Sequence, residues 1–208
     1  MPNNPQIPEA AVARLAAYLR ALNESAGEEQ RHVSSATIGS RVGVSPDQVR
    51  KDLSYFGEFG RPGVGYDAEQ LRQQLARIMR LERTQIAVLV GAGSLGSALA
   101  RYPGFAQQGF RVAAVFDVDP QRVGTKVGEV EVEHVDRLGE RVRELEAAIG
   151  IIAVPRAACQ WVAQRMAEGG IRAILNFAPA KIEVPAGVNV RSVDLARELE
   201  CLAYYLPS

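Results

Sequence analysis

Cysteine is nearly absent from this chain. Cys159 and Cys201 are the only two in 208 residues, too few for a disulfide framework, and both fall in helix-like segments where reduced core thiols are expected. Histidine is as scarce, with His32 and His134 alone, and no Cys/His set has metal-ligand spacing, so no metal site is expected. Net charge is missing too: 24 Lys/Arg balance 24 Asp/Glu, and bulk charge therefore draws the chain to neither nucleic acid nor membrane. No run of about 18 apolar residues appears, and no signal peptide. A soluble, cytoplasmic chain without a membrane partner is the expectation. Its length suits one or two domains with a core of useful size.

What is present is glycine at informative places. Gly91-Ala92-Gly93-Ser94-Leu95-Gly96 follows the apolar run Gln85-Ile86-Ala87-Val88-Leu89-Val90 and opens a helix-like stretch. Asp117 closes the next apolar run, Val112-Ala113-Ala114-Val115-Phe116, 21 residues beyond Gly96. Strand, glycine turn, helix, strand and acid in that order are what a dinucleotide site requires. Gly91 permits the tight turn, Gly93 lets backbone approach a pyrophosphate, and Gly96 lets helix and sheet pack closely. Ala92, Ser94 and Leu95 complete the turn, whose free N–H groups would hold the pyrophosphate. Asp117 should accept hydrogen bonds from the adenosine ribose and repel a 2′-phosphate. No Arg immediately follows it, so NAD is favoured over NADP.

The first eighty residues read as a different module. Their charge is even, 10 Lys/Arg against 9 Asp/Glu, so a nucleic-acid role must rest on placement. Val12, Leu15, Leu19 and Leu22 give a first helix one apolar face. Ser34 or Ser35 caps a second with Ile38 and Val42 inward. After the Gly43-Val44 turn, Ser45-Pro46-Asp47-Gln48 combines an N-cap, a first-turn proline and a capping-box glutamine. Two short helices so joined are a helix-turn-helix candidate. On the third helix Val49, Leu53 and Phe56 share an inward face. Asp47, Arg50, Lys51, Ser54 and Tyr55 lie opposite, with donors suited to phosphates and base edges, although an ordinary solvated face has the same composition. Gly57-Glu58-Phe59-Gly60-Arg61-Pro62-Gly63-Val64-Gly65-Tyr66 then reads as a hairpin whose tip follows a narrow groove while Arg61 enters it. Together these make a winged helix. The candidate DNA contacts are Ser45, Gln48, Arg50, Lys51, Ser54 and Tyr55, with Arg61 and Gly63 in the wing. Asp67-Ala68-Glu69-Gln70 caps a further helix, and Arg80–Thr84 reads as a linker.

Beyond the glycine turn, strands and helices alternate. Strands are expected at Val130–Val135, Ala148–Val154, Ile171–Leu175 and Val188–Val190, and helices at Asp136–Leu145 and Arg156–Glu168. This pattern means a parallel sheet covered on both faces. The loops at Val154-Pro155-Arg156 and Asn176-Phe177-Ala178-Pro179 should line the nicotinamide end, making Val154, Pro155, Asn176 and Phe177 candidates. Groups for proton transfer are scarce: His32 and His134 read as surface residues and Tyr102 as core packing, so no catalytic residue is assigned. Ser192–Leu206 carries an apolar stripe of Leu195, Leu199, Leu202 and Leu206, which must bury itself on its own sheet or in a partner subunit.

With both modules in place, the chain resembles the Rex family of redox-sensing transcriptional repressors over nearly its whole length. The resemblance rests on the Ile7-Pro8 start, Val49-Arg50-Lys51-Asp52-Leu53-Ser54-Tyr55-Phe56-Gly57, Gly63-Val64-Gly65-Tyr66, the glycine fingerprint, Phe116-Asp117-Val118-Asp119 and Leu175-Asn176-Phe177-Ala178-Pro179. It implies a homodimer that binds a palindromic double-stranded DNA operator and leaves it when NADH binds, so that NAD(H) is a sensed ligand. It also implies Arg50 and Lys51 at base edges, Arg61 in the wing, and a domain-swapped C-terminal helix. Arg14, Tyr102 and Asp194 match a family trio whose hydrogen bonding changes between the DNA-bound and NADH-bound forms. Tyr204 falls where many members carry Phe near the nicotinamide.

The expected fold is thus an α/β protein with an N-terminal winged-helix domain (1–80), a Rossmann-type parallel sheet (81–190) and a C-terminal, domain-swapped dimerisation helix (191–208). The expected function is redox-sensing repression. Two alternatives stand beside it: a small NAD-dependent dehydrogenase, and a repressor that senses another adenine nucleotide such as CoA.

Overall fold

The structure is a computed structural model describing residues 7–24, 31–61 and 63–206; Pro62 of the wing lies outside them. Chain contacts divide it into two compact units, residues 1–83 and 84–208.

The first unit contains helices α1 (Glu9–Glu24), α2 (Ser35–Val42), α3 (Pro46–Ser54) and α4 (Ala68–Ile78), with short strands β1 (His32–Val33), β2 (Gly60–Arg61) and β3 (Gly65–Asp67). The strands form an antiparallel sheet in the order β1-β3-β2. Each cap is local chemistry. The hydroxyls of Ser34 and Ser45 accept from the backbone N–H groups of Thr37 and Gln48, and the Asp67 carboxylate accepts from that of Gln70. Leu15, Tyr18, Ile38, Val49, Leu53, Leu71 and Leu75 form the core. Two readings of helix faces need correction. Val12 is 38 % exposed, and Tyr18 is fully buried in its place on α1. Phe56 lies beyond the end of α3 and is only half-buried.

The second unit contains β4 (Gln85–Val90), α5 (Ser94–Ala100), α6 (Pro103–Gln107), β5 (Phe110–Asp117), β6 (Lys126–Val127), β7 (Val130–His134), α7 (Leu138–Glu144), β8 (Ile149–Ile152), α8 (Arg156–Gly169), β9 (Ala173–Asn176), β10 (Asn189–Ser192) and α9 (Leu195–Ala203). The sheet order is β10-β9-β8-β4-β5-β7-β6, parallel except for the terminal β6. From β4 the chain proceeds outward on one side through β5 and β7, then returns to β8 and runs outward through β9 and β10. In open α/β sheets ligands bind where the strand order reverses, which here is at the carboxyl ends of β4 and β8. Val88 and Val90 pack with Phe116, Ile152 and Met166 on one face, while Ala87 and Leu89 pack with Val115 and Ile151 on the other. Burial on both faces explains the near-continuous apolar strands.

The C-terminal helix begins later than its apolar pattern suggests. Ser192 is still paired in β10, opposite Asn176, and the Asp194 side chain caps α9 by accepting from Arg197 N–H. Among the described residues, no helix is long and apolar enough to cross a membrane, and no cluster of His, Cys, Asp or Glu is arranged to hold a metal ion.

Candidate functional site

In the first unit, α3 turns its two faces to different tasks. Val49, Asp52 and Leu53 are buried, while Arg50, Lys51 and Ser54 are exposed and Tyr55 is half-buried. Arg50 donates to the Ser35 hydroxyl at 2.7 Å and pairs with Asp47. A groove of about 750 Å³ runs between this helix and the wing and brings together Arg50, Ser54, Arg61 and Gly63. Lys51 and Tyr55 do not line it.

Asp52 was missed at the sequence level, and it organises this module. Its carboxylate has no solvent exposure. It accepts from Arg14 Nε at 2.6 Å and Nη2 at 2.8 Å, from the Tyr18 hydroxyl at 2.7 Å and from Gln48 Nε2 at 2.7 Å. Burial alone would raise its pKa, but the donors from Arg14, Tyr18 and Gln48 outweigh burial and hold it below the ordinary value. Burial, together with the bond to Asp52, pushes the Tyr18 hydroxyl up. Gln48, read as a DNA contact, is half-buried one turn before Asp52 on the same face, and its amide nitrogen donates inward to that carboxylate. Ser45 is exposed, but its hydroxyl oxygen is engaged in the cap.

In the second unit the glycine turn has the geometry that its spacing implies. Gly91 has φ +105°, and a Cβ there would stand 2.3 Å from the Ala153 carbonyl oxygen. A Cβ at Gly96 would stand 1.7 Å from the Gly91 carbonyl oxygen, so no larger residue allows α5 this close to the strand. At Gly93 the space is open apart from Arg122 Nη1 at 3.7 Å. Ser94 and Leu95 are exposed, whereas Ala92 is buried.

Asp117, 6 % exposed, ends β5 and fastens to that turn. Oδ2 accepts from Ala92 N–H at 2.7 Å and Arg122 Nη1 at 3.1 Å; Oδ1 accepts from Val118 N–H at 2.8 Å and Asp119 N–H at 3.0 Å. Burial would raise its pKa, but these bonds prevail and keep it low, so the group is ionised at neutral pH. As the sequence reading has it, no arginine immediately follows this acid, but Arg122 reaches it from the turn five residues on.

At the other strand ends, Val154 and Phe177 are half-buried and Pro155 is exposed at the start of α8. A Cβ at Gly91 would lie 3.1 Å from Val154 Cγ1, which places Val154 against the glycine turn. Asn176 is corrected as a ligand contact. Fully buried, it donates to the carbonyls of Ala178 and Ala180 and accepts from Ala178 N–H, so its amide shapes the 177–180 loop.

Tyr102 is 57 % exposed and stacks edge-on with Phe105 at 5.3 Å, against the expectation of a core residue. Arg14 is held by Asp52, and Asp194 caps α9. On α9 and just beyond it, Leu195, Leu199, Leu202, Tyr204, Tyr205 and Leu206 are 55–86 % exposed. The stripe therefore does not bury itself on its own sheet. Cys159 is buried as expected, but Cys201, on this helix, is exposed.

Residues 6–54 match the family described as "Putative DNA-binding protein N-terminus", and residues 82–180 match the family described as "CoA binding domain". The chain is 49 % identical over 199 residues to the redox-sensing transcriptional repressor Rex of Carboxydothermus hydrogenoformans, covering 96 % of each. It is 46 % identical to that of Streptomyces coelicolor, covering 96 % of this chain and 77 % of the relative. The crystal structure of RSP in complex with beta-NAD+ and operator DNA superposes with a TM-score of 0.89 at 35 % identity, over 96 % of this chain and 92 % of that one. RSP in complex with beta-NADH gives 0.83 at 33 % identity, over 96 % and 94 %.

Proposed function

This chain belongs to the Rex family of redox-sensing transcriptional repressors, and we propose that it reads the NADH/NAD⁺ ratio in the cytoplasm by holding a palindromic operator as a homodimer and releasing it when NADH binds. The observation that carries this reading is one chain holding both a helix–wing groove with Arg50 and Arg61 on its walls and a glycine turn tied to Asp117. The relatives are named as repressors, which sets aside the dehydrogenase.

Residues 1–80 serve as the DNA-binding domain. Arg50, Lys51, Ser54 and Tyr55 approach bases and phosphates, and Arg61 and Gly63 follow the adjoining groove, with Ser45 at the helix start. Residues 81–190 bind NAD(H), with the pyrophosphate at Gly91–Gly96, the adenosine ribose at Asp117 and the nicotinamide towards Val154, Pro155 and Phe177. Residues 191–208 form the dimerisation helix. The exposure of Leu195, Leu199 and Leu202 supports insertion into a partner subunit, because so large an apolar stripe is costly in water. Tyr204 then lies on the exchanged segment, where the resemblance puts the nicotinamide contact, and Arg14, Tyr102 and Asp194 act as the switch.

NAD⁺ and NADH differ in one positive charge and in the planarity of one ring. Apolar walls disfavour the cationic ring, and only this differential affinity moves the dimer between its two arrangements. A full switch needs about 5.5 kcal/mol of it. Operator titrations with each nucleotide test the reading: NADH should release DNA at concentrations where NAD⁺ does not, and equal release by both defeats redox sensing. A second reading, in which CoA is the sensed nucleotide, is favoured by the family match over residues 82–180. Release by CoA but not NADH in the same titration would establish it.

A further inference from the structure

Arg122 bonds Asp117 beside the glycine turn but has been given no role towards a ligand. Its Nη1 lies 3.1 Å from Asp117 Oδ2, and its Nε lies 3.5 Å from Asp119 Oδ2. The same Nη1 is 3.7 Å from where a Cβ on Gly93 would be, in the space that glycine leaves for a ligand. The guanidinium therefore occupies ground that a bound dinucleotide needs.

A carboxylate has about four acceptor positions. Three of those on Asp117 are filled by the backbone N–H groups of Ala92, Val118 and Asp119, which the turn holds in place. The fourth partner, Arg122, is a side chain on a flexible stem and is 46 % exposed. It is thus the one donor that can leave without unfolding the turn. A ribose hydroxyl that donates to Asp117 takes its place.

We propose that Arg122 is a phosphate-binding residue of this pocket: ribose hydroxyls displace it from Asp117, and the freed guanidinium pairs with the dinucleotide's phosphates beside Gly93. One cation then serves two anions in turn. Before binding it compensates the buried Asp117 carboxylate, and afterwards it compensates the ligand's charge through charge-assisted hydrogen bonds. The exchange explains how a carboxylate with a full set of donors receives a ribose. It rests on the NAD(H) reading above.

The test is direct nucleotide binding to the full-length protein carrying Arg122→Gln or Arg122→Lys. NADH is followed by its fluorescence, and adenosine, which lacks phosphate, by ligand-observed NMR. Arg122→Gln should lose tenfold or more in NADH affinity while binding adenosine at least as well as the parent, and Arg122→Lys should retain most of the NADH affinity. The assignment is overturned if Arg122→Gln binds NADH like the parent, if it loses adenosine as severely as NADH, or if Arg122→Lys falls as far as Arg122→Gln. Failure of the unaltered protein to bind NADH would instead sink the NAD(H) reading itself.

Discussion

Arg14 grips Asp52 with two hydrogen bonds, of 2.6 and 2.8 Å, across 38 residues of sequence, and so fixes the buried face of α3 against α1. A buried ion pair is tolerated only when its remaining polar positions are satisfied, and Tyr18 and Gln48 satisfy them here. The rotation of α3 is thereby set, and with it the direction in which Arg50 and Lys51 point. For Arg14 to act in the switch that the family resemblance implies, it must exchange this carboxylate for another partner.

Asp52→Ala strands the hydroxyl of Tyr18 and the guanidinium of Arg14 together. Removing one member of a buried pair costs about 3–5 kcal/mol, and the lower end applies because the Arg14 side chain keeps 28 % exposure. Urea unfolding of the full chain should show the loss in the transition of the DNA-binding unit. A change below about 1 kcal/mol would remove Asp52 from its place as the organiser of that unit.

The same cluster sets a pH window. Asp52 is depressed from 3.8, so its contribution is complete above that value and is lost as pH falls through the lower folded one. Tyr18 is raised from 10.0, so its contribution is complete below that value and declines as pH rises beyond it. Thermal scans of the parent should show a loss at each end, and in Tyr18→Phe the alkaline loss should shrink to what Tyr66, also raised by burial, contributes.

Arg50→Ala removes a donor from the wall of the helix–wing groove. If Arg50 reads a guanine, the change costs about 1–3 kcal/mol and relaxes preference at that one base pair. Binding to a set of singly substituted operators measures this. Uniform weakening across the set would make Arg50 a phosphate contact.

Asp117→Asn keeps the side chain's shape but gives up its charge and turns one oxygen into a donor group. NADH affinity should drop by tenfold or more, because the N–H groups of Ala92, Val118 and Asp119 then compete with the ribose for the single remaining oxygen. Fluorescence titration reads the change, and unaltered affinity would remove the ribose from Asp117.

Leu199→Glu places a charge in the stripe on α9, where Leu199 is 68 % exposed in the single chain. Analytical ultracentrifugation should then find monomer where the parent is dimeric, with operator affinity falling in parallel. A dimer of undiminished strength would place the interface elsewhere.

Both modules were legible in the chain because their signals are local. The spacing of Gly91, Gly93 and Gly96 before Asp117 is backbone geometry written within one β-α-β unit, and apolar periodicity marks Leu15, Val49 and Leu53 as core without knowledge of any neighbour. Caps at Ser45 and Asp67 read equally well, and the one at Ser34 to within a residue, since each bonds three residues away. The destinations of long polar side chains did not. Gln48 and Asn176 belong to segments whose sequence reads as ligand-facing, yet both bond inward, to a carboxylate and to a loop's own carbonyls. Asp52 drew Arg14 and Tyr18 from another helix, and Arg122 came back to Asp117 from a turn. Periodicity says which face of an element is buried; it does not say which charged group waits there, because that depends on how elements distant in sequence are packed. The fold class and the glycine site follow from order and spacing along the chain, whereas the two carboxylates that anchor its polar networks acquire their partners only when the folded chain brings those side chains within hydrogen-bond reach.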